Sequence, residues 1–192
     1  MLVYNQDWWF IRIPRTGSTS FMKLARIKMQ RHVPISEWPK LNQNLMTVTF
    51  IRNPFDRVVS AWEHSRCRAK TMQPAPFWSD MPGDGTFTGF IEAMGRGERV
   101  PTNTFDPQVS YVKHEGEIKA SWIGLFECYD ADTKRLCELI GINYQLIHEH
   151  KSPLRNSRPW QDYYTPMTKA IVADVYQEDI QLWQNLTNAR TA

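Results

Sequence analysis

The run Trp8-Trp9-Phe10-Ile11-Arg12-Ile13-Pro14-Arg15-Thr16-Gly17-Ser18-Thr19-Ser20 commits the chain to one kind of architecture. Its apolar part, Trp8 to Ile13, reads as a buried strand. Pro14 and Gly17 break it into a tight turn. Ser18 to Ser20 then open a helical pattern, with Phe21, Leu24, Ala25 and Lys28 at three- and four-residue spacing. A strand that turns sharply into a helix N-terminus gathers unpaired backbone N–H groups and the positive end of the helix dipole at one spot. Arg15 adds a full charge there, and Ser18, Thr19 and Ser20 add hydroxyl donors. The expected occupant is a phosphate or sulfate group.

A second apolar run, Met46 to Ile51, is rich in β-branched residues and predicts another buried strand. It ends at Arg52-Asn53-Pro54, where Asn53 suits an N-cap and Pro54 the first helical position. The helix that follows carries Phe55, Val58, Val59 and Trp62 on one face and is expected to run to about Arg68. Trp122 to Phe126 predicts a third strand. Asp130 to Ile140 predicts a helix with Leu136, Cys137, Leu139 and Ile140 inward, ended by Gly141. Thr165 caps a final helix that starts at Pro166, with Ile171, Val175, Ile180, Leu182 and Trp183 as apolar positions and room for a break. Strands alternating with helices predict an α/β fold with a mostly parallel sheet, residues 1–192 forming one domain. Ligands of such sheets bind beyond the strands' carboxyl ends. The turns Pro14–Ser20 and Arg52–Asp56 therefore line one crevice, and Arg57 and Ser60 are expected to meet an anion there too.

Composition narrows the function classes. A chain of 192 residues buries roughly 70% of its unfolded surface, enough for a core without staples. No stretch approaches the ~20 apolar residues of a membrane span. Met1 to Asp7 lacks the basic-then-apolar pattern of a signal peptide. Cys67, Cys128 and Cys137 form neither a disulfide framework nor a zinc pattern, so reduced thiols in a cytoplasmic protein are expected. Residues 1–70 hold 12 Lys/Arg against 4 Asp/Glu, and residues 71–192 hold 11 against 16. The basic excess coincides with the strand–turn–helix and suits an anionic ligand. Nucleic acid is not the expected partner, because no basic stripe is interleaved with aromatics. The Gly-x4-Gly-Lys-Ser/Thr pattern of ATP-dependent phosphotransferases is absent.

Residues 71–87 are rich in Pro, Gly and Asp and read as a long loop. A short helix at Phe90–Met94 and a loop through Pro101 and Pro107 follow. The 71–105 region is the expected substrate side. Residues 148–160 form a basic loop. His148 and His150 alternate there without a supporting carboxylate or Cys pattern, so no metal site is expected. Trp78 and Trp160 are candidates for stacking on a sugar or base.

Two segments resemble a known family, the sulfotransferases that use 3′-phosphoadenosine 5′-phosphosulfate (PAPS), especially the branch that includes carbohydrate sulfotransferases. Ile13 to Ser20 is similar to that family's 5′-phosphosulfate loop, Pro-Lys-Thr-Gly-Gly/Ser-Thr-Ser. Phe50-Ile51-Arg52-Asn53-Pro54-Phe55-Asp56-Arg57-Val58-Val59-Ser60-Ala61-Trp62 is similar to its 3′-phosphate element, Val-Arg-Asn-Pro-Tyr-Asp-Arg-Leu-Val-Ser-Ala-Tyr. Weaker similarity continues through Pro107-Gln108, Trp122 to Glu127 and Asp162 to Thr165. The resemblance implies a P-loop-like three-layer fold and sulfuryl transfer from PAPS to an acceptor hydroxyl, a carbohydrate one in this branch.

Residue by residue, the resemblance sets Arg15 beside the bridging oxygen of the phosphosulfate. It sets Thr16, Gly17, Ser18, Thr19 and Ser20 around the 5′-phosphate, and Arg52 and Ser60 on the 3′-phosphate. A late loop with Lys151, Ser152 and Arg155 closes over the cofactor. Arg15 departs from the family's Lys. It stabilises a leaving phosphate but cannot release a proton near neutral pH. A module that binds the nucleotide without transferring from it is the alternative. The acceptor must lose a proton, so a base is expected. Arg31-His32-Val33-Pro34-Ile35-Ser36-Glu37 resembles a family segment that starts with a His and continues to Glu. His32, expected at the end of the first helix, is therefore the candidate base. His64 and Glu63 are its rivals.

Overall fold

The computed structural model describes residues 8–28, 31–37, 45–71, 80–145 and 158–190, with the backbone alone at 68–71. In chain order its elements are β1 (Trp8–Phe10), α1 (Ser18–Leu24), β2 (Met46–Ile51), α2 (Pro54–Thr71), α3 (Phe87–Gly95), α4 (Val109–Val112), the short strands β3 (Lys113–His114) and β4 (Glu117–Ile118), β5 (Trp122–Leu125), α5 (Tyr129–Leu139), α6 (Pro166–Val175) and α7 (Gln177–Asn188). Single 3-10 turns lie at Ile35–Glu37, Asn103–Phe105, Phe126–Cys128 and Trp160–Tyr163.

The main sheet has the order β1-β2-β5, parallel throughout, and β3 and β4 pair separately as an antiparallel hairpin. Trp8 lies opposite Met46, and Ile51 opposite Leu125. Side chains alternate across the strands. Trp8, Phe10, Val48 and Phe50 pack on Phe21 and Met22 of α1 and Leu136 of α5. Ile11, Ile13, Ile51 and Leu125 pack on Tyr111 and Val112 of α4 and on Leu182, Trp183 and Leu186 of α7. Helices thus cover both faces of a parallel sheet, the expected three-layer α/β arrangement. A third cluster joins Val58, Val59 and Trp62 of α2 to Phe90 and Ile91 of α3 and to Val172 of α6. The rings of Phe10 and Phe21 lie 4.7 Å apart, and those of Phe21 and Phe50 5.7 Å. Each buried ring contributes about 1.5–3 kcal/mol through area removed from water. Gly124 makes room for this packing: a Cβ there would lie 2.6 Å from the Phe50 ring.

Several boundaries differ from the expectation. β1 ends at Phe10, not Ile13. Beyond it the Ile11 N–H still reaches the Val48 carbonyl, but the Ile11 carbonyl is taken by the Thr49 hydroxyl at 2.8 Å, and Pro14 has no N–H to offer. α1 stops at Leu24, because Arg26 adopts a left-handed φ of 53°, which leaves Lys28 exposed outside the helix. α2 extends past Arg68 to Thr71, and α3 begins at Phe87, where the Thr86 side chain accepts the Gly89 N–H. The third strand stops at Leu125, and Phe126 opens a 3-10 turn. Leu139 is 56% exposed, since Leu136 and Cys137 already fill the inward face of α5. Val175 also points outward, and the break between α6 and α7 buries Tyr176 instead.

Arg57 corrects the sequence reading most. Its side chain is fully buried and does not wait in the crevice for an anion. Nε donates to the Pro14 carbonyl at 3.1 Å, and Nη2 donates to the carbonyls of Thr104 (3.1 Å) and Asp106 (2.7 Å). One guanidinium thereby joins the first turn, α2 and the 104–106 segment. Arg57→Leu strands three carbonyls without their donor. The expected loss is about 3 kcal/mol, or a fall in Tm of about 6–12 °C for a chain of this size, read by thermal unfolding.

Candidate functional site

The first turn is built from backbone conformation. Arg15 and Gly17 both take left-handed values, φ 67° and 80°. The Thr16 hydroxyl between them donates to the Ile13 carbonyl at 3.0 Å, and its side chain is fully buried. Gly17 is required twice over. Its φ strains any other residue, and a Cβ would sit 2.5 Å from the Tyr129 ring, whose hydroxyl donates to the Gly17 carbonyl at 2.9 Å. The N–H groups of Ser20 and Phe21 turn back to Gly17. Those of Ser18 and Thr19 have no acceptor among the described residues. Holding Arg15 in the left-handed region costs about 1–2 kcal/mol, a strain typical of ligand cradles.

The second element meets the first directly. Asn53 caps α2, its Oδ1 accepting from the N–H of Phe55 (3.0 Å) and Asp56 (3.4 Å). Arg52 is buried and paired with Asp56, at 2.7 Å through Nε and 2.6 Å through Nη2. Its guanidinium carbon lies 4.1 Å from the centre of the Phe126 ring, and Nη1 donates to the Arg15 carbonyl at 3.3 Å. The Arg15 side chain reaches the other way. Nε and Nη2 donate to Ser60 Oγ at 3.1 and 3.0 Å. The structure therefore brings Arg15, Arg52 and Ser60 into one cluster, as the two motifs suggested.

The electrostatics of that cluster are unbalanced. Among the described residues, the Arg15 guanidinium meets a neutral hydroxyl and no carboxylate. Burial, then the charges of Arg52 and Arg57, pull its pKa down to about 10. It stays protonated at neutral pH, in surroundings that an anion would relieve.

His32 is not at the end of a helix. It lies in the loop between α1 and the Ile35–Glu37 turn, half-buried, with Nδ1 2.9 Å from the Arg12 carbonyl. That contact puts the proton on Nδ1 and leaves the Nε2 lone pair available. Burial, and then the charges of Arg12 and Arg57, lower its pKa to about 4 despite the backbone bond. Of the rivals, Glu63 accepts from the Tyr163 hydroxyl at 3.2 Å and lies 3.6 Å from Arg66. His64 is half-buried on α2. Trp160 stacks on Phe55 at 5.6 Å and, with Tyr164 and Lys169, lines a shallow depression at the start of α6. Lys151, Ser152 and Arg155 lie outside the described residues, as do Trp78, His148 and His150.

Sequence reasoning missed the residues that hold the backbone of this site. Gln108 is buried, and its carboxamide brackets the Arg52 peptide: Oε1 accepts the Arg52 N–H at 2.9 Å and Nε2 donates to the Arg52 carbonyl at 2.8 Å. The only signal was Pro107-Gln108 within the weaker similarity, which carried no role. Among the described residues there is no cluster of His, Cys, Asp and Glu that could hold a metal ion, and no helix is long and apolar enough to cross a membrane. None of the three cysteines forms a disulfide; Cys137 is buried and Cys128 exposed.

A cradle of backbone amides with a guanidinium that meets no carboxylate among the described residues, joined to a second basic residue and a hydroxyl, can hold an anion at each end. Comparison with known proteins agrees in kind. The model of the sulfotransferase family matches residues 2–184, a span that contains every residue of the cluster. No curated protein and no solved structure matches. With its two motifs joined in one site and nearly its whole length matched, the chain belongs to the sulfotransferase family.

Proposed function

We propose that the chain moves a sulfuryl group from PAPS to an acceptor hydroxyl, a carbohydrate hydroxyl by the resemblance of its motifs. The observation that carries this reading is the Arg15 guanidinium, crowded by Arg52 and Arg57 and answered, among the described residues, by the Ser60 hydroxyl alone. The residues present fit the donor. Arg15 and the amides of Thr16 to Thr19 would hold the 5′-phosphate, and Arg52 with Ser60 the 3′-phosphate. When bound, PAPS supplies the sulfuryl group, its S–O bond to the 5′-phosphate breaking as the bond to the acceptor oxygen forms. Arg15, fixed before reaction, offsets the charge that develops on the leaving phosphate. It does so as a permanent cation, without giving up a proton.

His32 is the proposed base. Its free Nε2 takes the acceptor's proton, and its low pKa keeps it neutral and ready at physiological pH. A bound dianion would offset the field of Arg12 and Arg57 and make the imidazole more basic. The acid limb of kcat/KM, which reports the free enzyme, is therefore expected near pH 4, and that of kcat at higher pH. Stability follows the same shift. The unfolded chain protonates His32 near pH 6.5 and the folded chain near 4, so stability is present above 6.5 and is lost as pH falls between the two. Urea titrations across that window are expected to show less loss in His32→Gln than in the parent protein.

The deciding experiment pairs calorimetry with 3′-phosphoadenosine 5′-phosphate (PAP) and transfer of labelled sulfate from PAPS to sugars, phenols and tyrosine peptides. Failure to bind either nucleotide overturns the reading. Binding without transfer to any acceptor supports the nucleotide-binding module instead. Arg52→Ala is expected to weaken PAP binding by about 100-fold, the loss of two charge-assisted hydrogen bonds. His32→Gln is expected to lower kcat by about 10²–10⁴ with PAP affinity nearly unchanged. Equal losses in both quantities remove His32 as the base.

A further inference from the structure

β2 reaches the crevice at the point where its strand partners end. Its ladder to β5 closes at Ile51 opposite Leu125, and its ladder to β1 at Val48 opposite Phe10. The peptide of Arg52 lies beyond both, buried, and its N–H and carbonyl need partners. Gln108 supplies both from one carboxamide, as a strand neighbour would. The next peptide is treated alike: the Asn53 N–H donates to Glu127 Oε1 at 2.7 Å.

Both supporting residues are in turn held by α7, Gln108 through its backbone and Glu127 through its side chain. Asp179, 1% exposed, accepts the Gln108 N–H through Oδ2 at 2.8 Å and the Val109 N–H through Oδ1 at 2.9 Å. Trp183, one helical turn further on, donates from Nε1 to Glu127 Oε2 at 3.1 Å. Two parallel relays therefore run from one face of α7 to consecutive peptides, Asp179–Gln108–Arg52 and Trp183–Glu127–Asn53. From this backbone the Arg52 side chain projects to Asp56 and Phe126, which hold its guanidinium.

We propose that Gln108 is a positioning residue for the 3′-phosphate, through which α7 fixes the peptide that aims Arg52. The proposal rests on the reading of Arg52 as the 3′-phosphate ligand. It makes the amide chemistry of Gln108 specific. A glutamate there accepts the N–H but faces the Arg52 carbonyl with a second acceptor and sets a negative charge near the phosphate. It also weights the effect toward one end of the nucleotide, since Gln108 bonds the Arg52 peptide directly and reaches the Arg15–Gly17 turn only through the Arg52 contact to the Arg15 carbonyl.

The test measures PAP and 5′-AMP, which lacks the 3′-phosphate, by calorimetry on the full chain. Gln108→Ala and Gln108→Glu are each expected to weaken PAP by about tenfold or more, the loss of a well-aimed charge-assisted contact, and to weaken 5′-AMP by a much smaller factor. In an Arg52→Ala background, Gln108→Ala is expected to add nothing further, as coupling through one group requires. Trp183→Phe, at a partly buried site, reads the second relay without disturbing Asp179 and is expected to shift PAP in the same direction by a smaller factor. Equal weakening of PAP and 5′-AMP, or no change in PAP, overturns the proposal. A parent protein that binds PAP no more tightly than 5′-AMP overturns the 3′-phosphate site itself and this proposal with it. That outcome is distinct from one in which the parent discriminates between the two nucleotides and Gln108→Ala discriminates equally well.

Discussion

Arg57 puts a full positive charge where water does not reach, and the carbonyls of Pro14, Thr104 and Asp106 answer it. Those three carbonyls belong to segments that no ladder of the main sheet holds together. A buried guanidinium is tolerated only when it is hydrogen-bonded, so the segments must keep their places as long as α2 is folded. The turn that carries Arg15 is thereby fixed against the helix that carries Ser60, and the rest of the crevice follows from that distance. The same charge reaches further than its bonds. Added to burial and to the charges of Arg52 and Arg12, which weigh more, it lowers the pKa of Arg15 and of His32.

The site is preorganised by backbone more than by side chains. Left-handed φ at Arg15 and Gly17 aims the amides, Tyr129 closes the turn from α5, and Gln108 with Glu127 takes over where the strand ladder ends. Sulfuryl transfer asks for this kind of support, because positioning and charge supply most of the help that such reactions receive. Donors fixed before the reaction need not reorganise during it. The strained residue and the uncompensated cation are local costs, offset by the aromatic packing of Phe10, Phe21 and Phe50 beneath the turn.

Much of this was legible along the chain. The apolar runs at Trp8 and Met46 announced the strands, Asn53-Pro54 and Thr165-Pro166 announced helix starts, and the clustered residues Arg15, Arg52 and Ser60 lay within two short motifs. The failures have identifiable causes. Arg57 shares the polar pattern of a surface residue, and only the approach of three carbonyls turns it inward. His32 left its expected helix because Arg26 takes a left-handed φ, a conformation that no spacing rule encodes for an arginine. Leu139 is left exposed beside a face that Leu136 and Cys137 already complete.

The division between the two levels is one of range. Strand, turn, cap and helix depend on neighbours within a few residues, where backbone geometry repeats and a pattern of side chains suffices. The two motifs are local in this sense, and the sequence carried them whole. Gln108 on Arg52, Asp179 on Gln108, Tyr129 on Gly17 and Glu127 on Asn53 join residues far apart in the chain. Each is a directional bond of about 3 Å, made or lost by shifts of an ångström in how helices seat on the sheet. Such placement belongs to packing, so the two motifs of the candidate site were written in the sequence, whereas the bonds that hold them appear only in the folded chain.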